Sequence, residues 1–340
     1  MRAIRNNGKE PPELKRLREL SARLGSDRLL VQASSGNTSI KVNGTLWIKA
    51  SGKWLVDAEA ADFLIPVQLA RARTCLNARI PIPETNLPGE ASASIETAMH
   101  AALPHKVIVH VHSVNAIAWA IREDAPGLLS SRLCGLDWEW IPYTRSGAPL
   151  AEKIADAFLR SPRTNVFVLG NHGLVICGET CDSAEHLLWD VETRLKVDAR
   201  PAFGCRLSPQ EASRVLASDP LSRKILSGGV LYPCQAFFLP WTVCVPDESP
   251  VKQLAAFQQP RTPLLIEDSH ELGSSEMTAA EEETLLGLAN VVQRIHPSAA
   301  VRYLSFSEVE ELFEAHSYNY AMVATRNGPF TKIPKNPVAP

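Results

Sequence analysis

Val107-Ile108-Val109-His110-Val111-His112 decides how this chain is read. Its β-branched content predicts a strand. Alternate strand residues face the same side, so His110 and His112 can reach one point. A third histidine, His172, stands in a Gly170-Asn171-His172-Gly173 turn directly after a second apolar run, Asn165 to Leu169. A tight glycine turn of this kind can carry a ligand over the end of a sheet. Neutral imidazole suits zinc, and three histidines leave one coordination position open. Glu96, expected in the first turn of the preceding helix, is the fourth candidate, as a ligand or as a general acid/base. Each feature alone is a weak signal, and an acidic residue near a helix start more often only complements the helix dipole. Their combination in this order is far more specific. His100, one helical turn after Glu96, either joins the site or packs against the strand. His105, His186, His270, His296 and His316 have no such context.

Outward from this strand, Ser94 is expected to cap a helix from Ile95 to Leu103, closed by Pro104. Upstream, Leu14, Leu17, Leu20 and Leu24 recur at helical spacing behind Pro12. Leu29 to Val31 reads as a strand. Asn43-Gly44 is a strong hairpin signal between Thr38–Val42 and Thr45–Ala50. Residues 57–92 read as a short helix, a variable loop and an approach to the next helix. Downstream, helices are expected over 115–122, 149–159 and 181–199, and strands over 138–143, 165–169 and 174–176. A boundary falls near 201–207. Beyond it the pattern predicts helices near 208–217 and 277–296 and strands near 229–239 and 262–266. The expected organisation is a loose arm over 1–11, a metal-binding domain over 12–204, an α/β extension over 205–324 and a tail over 325–340.

The two ends of the hairpin remote from its turn carry Ser35-Gly36-Asn37-Thr38-Ser39 and Ala50-Ser51-Gly52-Lys53. Hairpin geometry brings those ends together. Glycine exposes backbone N–H groups, and Ser, Thr and Asn add side-chain donors, which is the chemistry of an anion nest. Gly36, Asn37, Ser51 and Gly52 are its candidate members, with Ser94 as a third donor group. Each Gly-Ser pair alone also fits simple turn chemistry. No GxxxxGK[ST] or GxGxxG run is present, so nucleotide-binding loops are unsupported.

Composition agrees with a globular chain: 45% hydrophobic, 21% charged, net charge −2. That balance gives no support to nucleic-acid or membrane-surface binding, which rests on Lys and Arg. Met1 to Leu20 lacks the apolar core of a secretory signal, and a cytoplasmic location is expected. The seven cysteines are scattered and odd in number, with no CxxC pair. They read as reduced, mostly buried thiols, neither ligands nor disulfides.

Taken together, Ser-Gly-Asn-Thr-Ser at 35–39, Lys-Ala-Ser-Gly at 49–52, Ser-Ile-Glu at 94–96 with His100 following, Val-His-Val-His-Ser at 109–113 and Asn-His-Gly-Leu at 171–174 resemble the class II aldolase/adducin family. The resemblance runs over roughly 12–200. It looks closest to the aldolase part of the larger rhamnulose-phosphate-aldolase-like proteins. It implies an α/β/α sandwich around a mixed, mainly antiparallel sheet, one divalent ion per subunit, zinc first with Mn, Co or Fe also compatible, and a homo-oligomer, usually a tetramer. On the family pattern His110, His112 and His172 are ligands. Glu96 is the acid/base and sometimes a ligand, and Gly36, Asn37, Ser51, Gly52 and Ser94 hold a substrate phosphate. The implied activity is a lyase cleaving a small sugar-phosphate-like substrate through an enediolate. Decarboxylation, dehydration or 4-epimerisation in the same site is the alternative, and a non-catalytic adducin-like interaction module is the reading from another class. Family aldolases often place a catalytic tyrosine after the His-x-His strand, whereas 114–137 contains none. Tyr143 sits in a Pro-Tyr context of a mainly structural kind.

Overall fold

Asn43 and Gly44 both adopt left-handed φ, 50° and 76°. A two-residue turn of that kind matches the twist of the strands it joins, here β1 (Asn37–Val42) and β2 (Thr45–Lys49). The computed structural model describes residues 11–60, 62–80, 82, 91–200, 207–239 and 277–316. Residues 1–10 of the arm expected over 1–11, the strand expected at 262–266 and the tail from 325 lie outside the described residues.

The hairpin is the start of a seven-stranded sheet in the order β3-β2-β1-β4-β7-β6-β5. The other strands are β3 (Leu64–Gln68), β4 (Val107–Val111), β5 (Trp138–Ile141), β6 (Val166–Leu169) and β7 (Gly173–Gly178). Every neighbouring pair is antiparallel except β5 and β6. Helices cover both faces, because the central strands are apolar on both sides. Val107, Val109 and Val111 pack with α1 (Pro12–Ser26), α4 (Val114–Ala120), α5 (Ala125–Arg132) and α7 (Cys181–Leu195). Ile108, Phe167 and Val175 face α3 (Thr97–Ala102) and α6 (Ala148–Arg160), while Leu46 and Ile48 meet α2 (Leu69–Asn77). The result is the expected α/β/α sandwich. On α1 the leucine stripe is buried as its spacing requires, with Leu17, Leu20 and Leu24 at 0% exposure. Truncating one of these to alanine removes about 2–5 kcal/mol.

Three expectations are corrected. Leu29 to Val31 forms a turn, not a strand: the Asp27 carboxylate accepts the Leu29 N–H and the Asp27 carbonyl accepts those of Leu30 and Val31. Asp does this in competition with strand pairing. In 57–92 the reading missed β3, whose Pro66 argues against a strand by composition. It is tolerated because β3 is the sheet edge, where a missing N–H costs little. The strand expected at 229–239 is a helix, α10 (Pro233–Phe238), after α8 (Pro209–Ser218) and α9 (Pro220–Ser227). Phe237 and Phe238 suggest a strand, but Pro233 presets the first helical φ and the Gln235 side chain accepts the Leu231 N–H. With α11 (Ala279–Val292) and α12 (Phe306–His316), the elements beyond β7 among the described residues are helical. Among the described residues no helix is long and apolar enough to cross a membrane.

Candidate metal centre

β1 and β4 are paired so that Asn37 lies opposite His110. Gly36 makes the approach possible: at φ 64° a Cβ on it would sit 2.7 Å from the His110 carbonyl oxygen. Gly173 does the same across the sheet, since a Cβ there would stand 2.4 Å from the Val111 oxygen. β7 can therefore start hard against the end of β4, and the turn before it delivers His172 beside His112. The three imidazole rings are mutually edge-on, each pair of centroids 4.9 Å apart. One nitrogen from each lies within 4.8 Å of the others, and all three residues are buried. His112 is just past the end of β4, not within it.

Glu96 completes the group. Its Oε2 is 3.3 Å from His110 Nε2 and its Oε1 is 3.5 Å from His172 Nε2. It stands at the N-cap position of α3, one residue before the helix begins and not inside the first turn as expected, and makes no side-chain cap bond. Ser94, expected as the cap, instead accepts the Glu96 N–H two residues on. The Glu96 carboxylate is thereby released from backbone duty. It accepts from Asn37 Nδ2 at 2.8 Å and from the Ser146 hydroxyl at 3.1 Å. Burial pushes this carboxyl up, but His110, His172, His112 and the Asn37 amide together outweigh it and hold it below the usual carboxylate range.

The donor set fits a divalent cation. His110 Nδ1 donates to the Leu174 carbonyl at 2.8 Å, which leaves Nε2 with its lone pair. His112 and His110 bring their Nε2 atoms to 3.0 Å. Two nitrogens at tetrahedral positions around zinc stand about 3.3 Å apart, given Zn–N distances of about 2.0–2.1 Å. Burial, then the neighbouring imidazoles, push His112 well below the ordinary histidine value, which favours the neutral form that ligates. His100 is fully buried behind Glu96, bonded to Ser39 at 2.6 Å, and burial pushes it down to about 3. It does not line the cavity, so it takes the packed alternative.

All five nest candidates line the same cavity as Glu96, His112 and His172. Ser51 N–H donates to the Ser92 carbonyl and Ser94 N–H to that of Lys49, which ties the segment before α3 to the open end of the hairpin. Asn37 Oδ1 is buried and has no hydrogen-bond partner, so an acceptor is left over at the junction of nest and imidazoles. Sequence reasoning missed Lys49, Ser146, Cys234, Phe237 and Phe238, which also line the cavity. Lys49 gave no periodicity signal, since it alternates with the buried Leu46 and Ile48 and shares its face with the half-buried Thr45 and Trp47. The others come from segments with no local signature. Lys49 Nζ donates to the carbonyls of Ser34 (2.8 Å) and Lys53 (2.6 Å), and burial pushes it down to about 7 against the pull of Glu96. Tyr143 does not line the cavity, and its hydroxyl is buried without a partner. Among the described residues Cys75, Cys134, Cys177, Cys181 and Cys234 are free thiols, all buried but Cys134.

If the cavity takes an anion, Lys49 is expected to make that binding depend on pH. A protonated lysine carries three donors, and two are already committed to carbonyls. The third disappears as pH rises through about 7. Sulfate keeps its charge across about pH 6 to 8, where a group titrating in the middle goes from mostly charged to mostly neutral. Sulfate affinity by calorimetry is expected to fall about tenfold over that range, the scale of one charge-assisted hydrogen bond. Lys49→Met should flatten the profile, and Ser51→Asp, which puts a fixed negative charge in the nest, should abolish binding. A flat wild-type profile would remove Lys49 from the anion subsite.

The family model for the Class II Aldolase and Adducin N-terminal domain matches residues 15–198. Among curated proteins, the uncharacterized oxidoreductase YuxG of Bacillus subtilis (strain 168) is 29% identical over 179 residues, 47% of this chain and 26% of that protein. The chain thus spans about a quarter of the length of that curated relative. Among solved structures, the N-terminal class II aldolase domain of a conserved protein from Thermoplasma acidophilum is 23% identical with a TM-score of 0.47, covering 57% of this chain and 98% of that one. The L-fuculose-1-phosphate aldolase of Thermus thermophilus is 20% identical with a TM-score of 0.39, covering 54% and 91%.

Proposed function

The chain belongs to the class II aldolase and adducin N-terminal domain family, and on that premise we propose that it is a metal-dependent lyase that cleaves a C–C bond in a small sugar-phosphate-like substrate. The observation that carries the reading is the convergence of His110, His112, His172 and Glu96 at a cavity that Gly36, Asn37, Ser51, Gly52 and Ser94 also line. His110, His112 and His172 hold one divalent ion, zinc first. Such an ion supplies Lewis-acid polarisation of a carbonyl.

The chain's own groups do the rest. The nest binds the phosphate through N–H and hydroxyl donors, with Lys49 beside it. Asn37 and Ser146 orient the Glu96 carboxylate, one on each oxygen. Glu96, held ionised, takes the hydroxyl proton released as the new carbonyl forms and returns it to the carbon freed by cleavage. Burial of the whole group keeps bulk water from competing for that proton.

The test is paired metal analysis and turnover of the purified full chain on a panel of small ketose phosphates, with carbonyl products assayed. Bound metal with cleavage supports the lyase. Bound metal with no turnover across the panel leaves the non-catalytic module. A second reading, decarboxylase, dehydratase or 4-epimerase, is favoured by one observation: among the described residues no tyrosine lines the cavity. Product identity separates the two. A homo-tetramer belongs to the same proposal and is measured by light scattering, as does the division into a metal-binding domain over 12–204 and an extension over 205–324.

A further inference from the structure

The family match ends at residue 198, but the contacts that hold the site in shape continue into the helices beyond it. His110 has its outer nitrogen fixed by a main-chain carbonyl of β7. Among the described residues His112 has no such partner in the sandwich. Its Nδ1 lies 3.0 Å from the sulfur of Cys234, a buried residue of α10. Nδ1 is on the far side of the ring from the Nε2 that meets His110, so Cys234 does not compete for the ion's position.

The turn carrying His172 is held from the same direction. Asn171 is fully buried at φ 52°, a conformation Asn tolerates better than most residues. Its Nδ2 donates to the carbonyls of Leu231 (2.8 Å) and Arg302 (2.9 Å), and its Oδ1 accepts from Arg302 Nη1 at 2.9 Å. Arg302 is in turn paired with Glu308 at 2.6 Å. On the nest side, the Glu283 carboxylate of α11 accepts the N–H of Ala33, which also has positive φ, 52°. Three separate limbs of the site are thus held by one C-terminal segment.

We propose that the C-terminal segment is the outer support of the metal centre, with Cys234 positioning His112 and Arg302 positioning His172 through Asn171. The inference rests on the metal reading above. Partners on the outer nitrogen of a ligating histidine fix its tautomer and ring orientation, and losing one typically weakens metal binding about 10–100-fold. The segment therefore acts on affinity and coordination geometry, and not only on stability.

The experiment is competition of full-length wild type and variants against a chromogenic chelator for Zn2+, with the absorption spectrum of the Co2+ form as a geometric readout. Cys234→Ala should weaken Zn2+ binding about tenfold or more and alter the Co2+ spectrum. Cys234→Ser, which still offers an acceptor to Nδ1, should restore most of both. Arg302→Ala gives an independent limb if the cysteine variant does not fold, with the same expected weakening. Wild-type affinity and spectrum in Cys234→Ala or, failing that, in Arg302→Ala would overturn the proposal while leaving the ligand set intact. A wild-type chain that binds no divalent ion would remove the ligand set itself, and this inference with it.

Discussion

His172→Ala is expected to leave purification without a divalent ion. Its imidazole closes the triangle whose three ring centroids are each 4.9 Å apart, and no other histidine among the described residues lines the cavity besides His112. Loss of a partner outside the ligand shell already costs about 10–100-fold, so loss of a ligand should cost more than about 100-fold. The fold should survive. His172 lies in a turn at the sheet end, and the turn's backbone is held independently by Asn171. The measurement is metal content per chain by plasma mass spectrometry, with His105→Ala as a control outside the cavity. Wild-type metal content in His172→Ala would eliminate that residue as a ligand.

Glu96→Gln separates the chemical role of this residue from its structural one. Glutamine is nearly isosteric. Its carbonyl oxygen can still accept from Asn37 Nδ2, and the Ser146 hydroxyl can rotate to suit, so the hydrogen bonds seen at 2.8 and 3.1 Å have replacements. What glutamine cannot do is carry a proton. Turnover is expected to fall about 100-fold or more, the contribution of a positioned acid/base, with metal largely retained. If Glu96 is an essential ligand, metal is lost together with rate. If it only complemented the dipole of α3, the change would cost a few tenths of a kcal/mol, about 0.3–1 at most, and leave rate alone. Full activity in Glu96→Gln would refute the acid/base assignment. Its N-cap position without a cap bond already distinguishes it from an ordinary helix-start carboxylate.

Much of this is legible in the amino-acid sequence, wherever the signal is local. The two-residue period of β4, the Asn43-Gly44 turn, the leucine stripe of α1 and the glycines flanking His172 are each set by steric rules acting over a few residues. They put His110 and His112 on one face and His172 in a turn, and the family resemblance supplies the expectation that these meet Glu96 and the nest residues. The misreadings have equally local causes. Pro66 hid an edge strand, Asp27 turned an apolar run into a turn, and Phe237-Phe238 suggested a strand where Pro233 and Gln235 make a helix.

By itself, then, the sequence determined the elements of the sandwich and the identity of the candidate ligands, because backbone sterics and side-chain periodicity act between neighbours. Only the tertiary structure decided what surrounds them: Lys49 turned into the cavity, Ser146 on the Glu96 carboxylate, and Cys234 reaching His112 across 122 residues of chain. Such contacts have no spacing rule. They arise when the packing of separate segments brings polar groups out of water together, and each buried group must then take whichever partner the fold has put within reach.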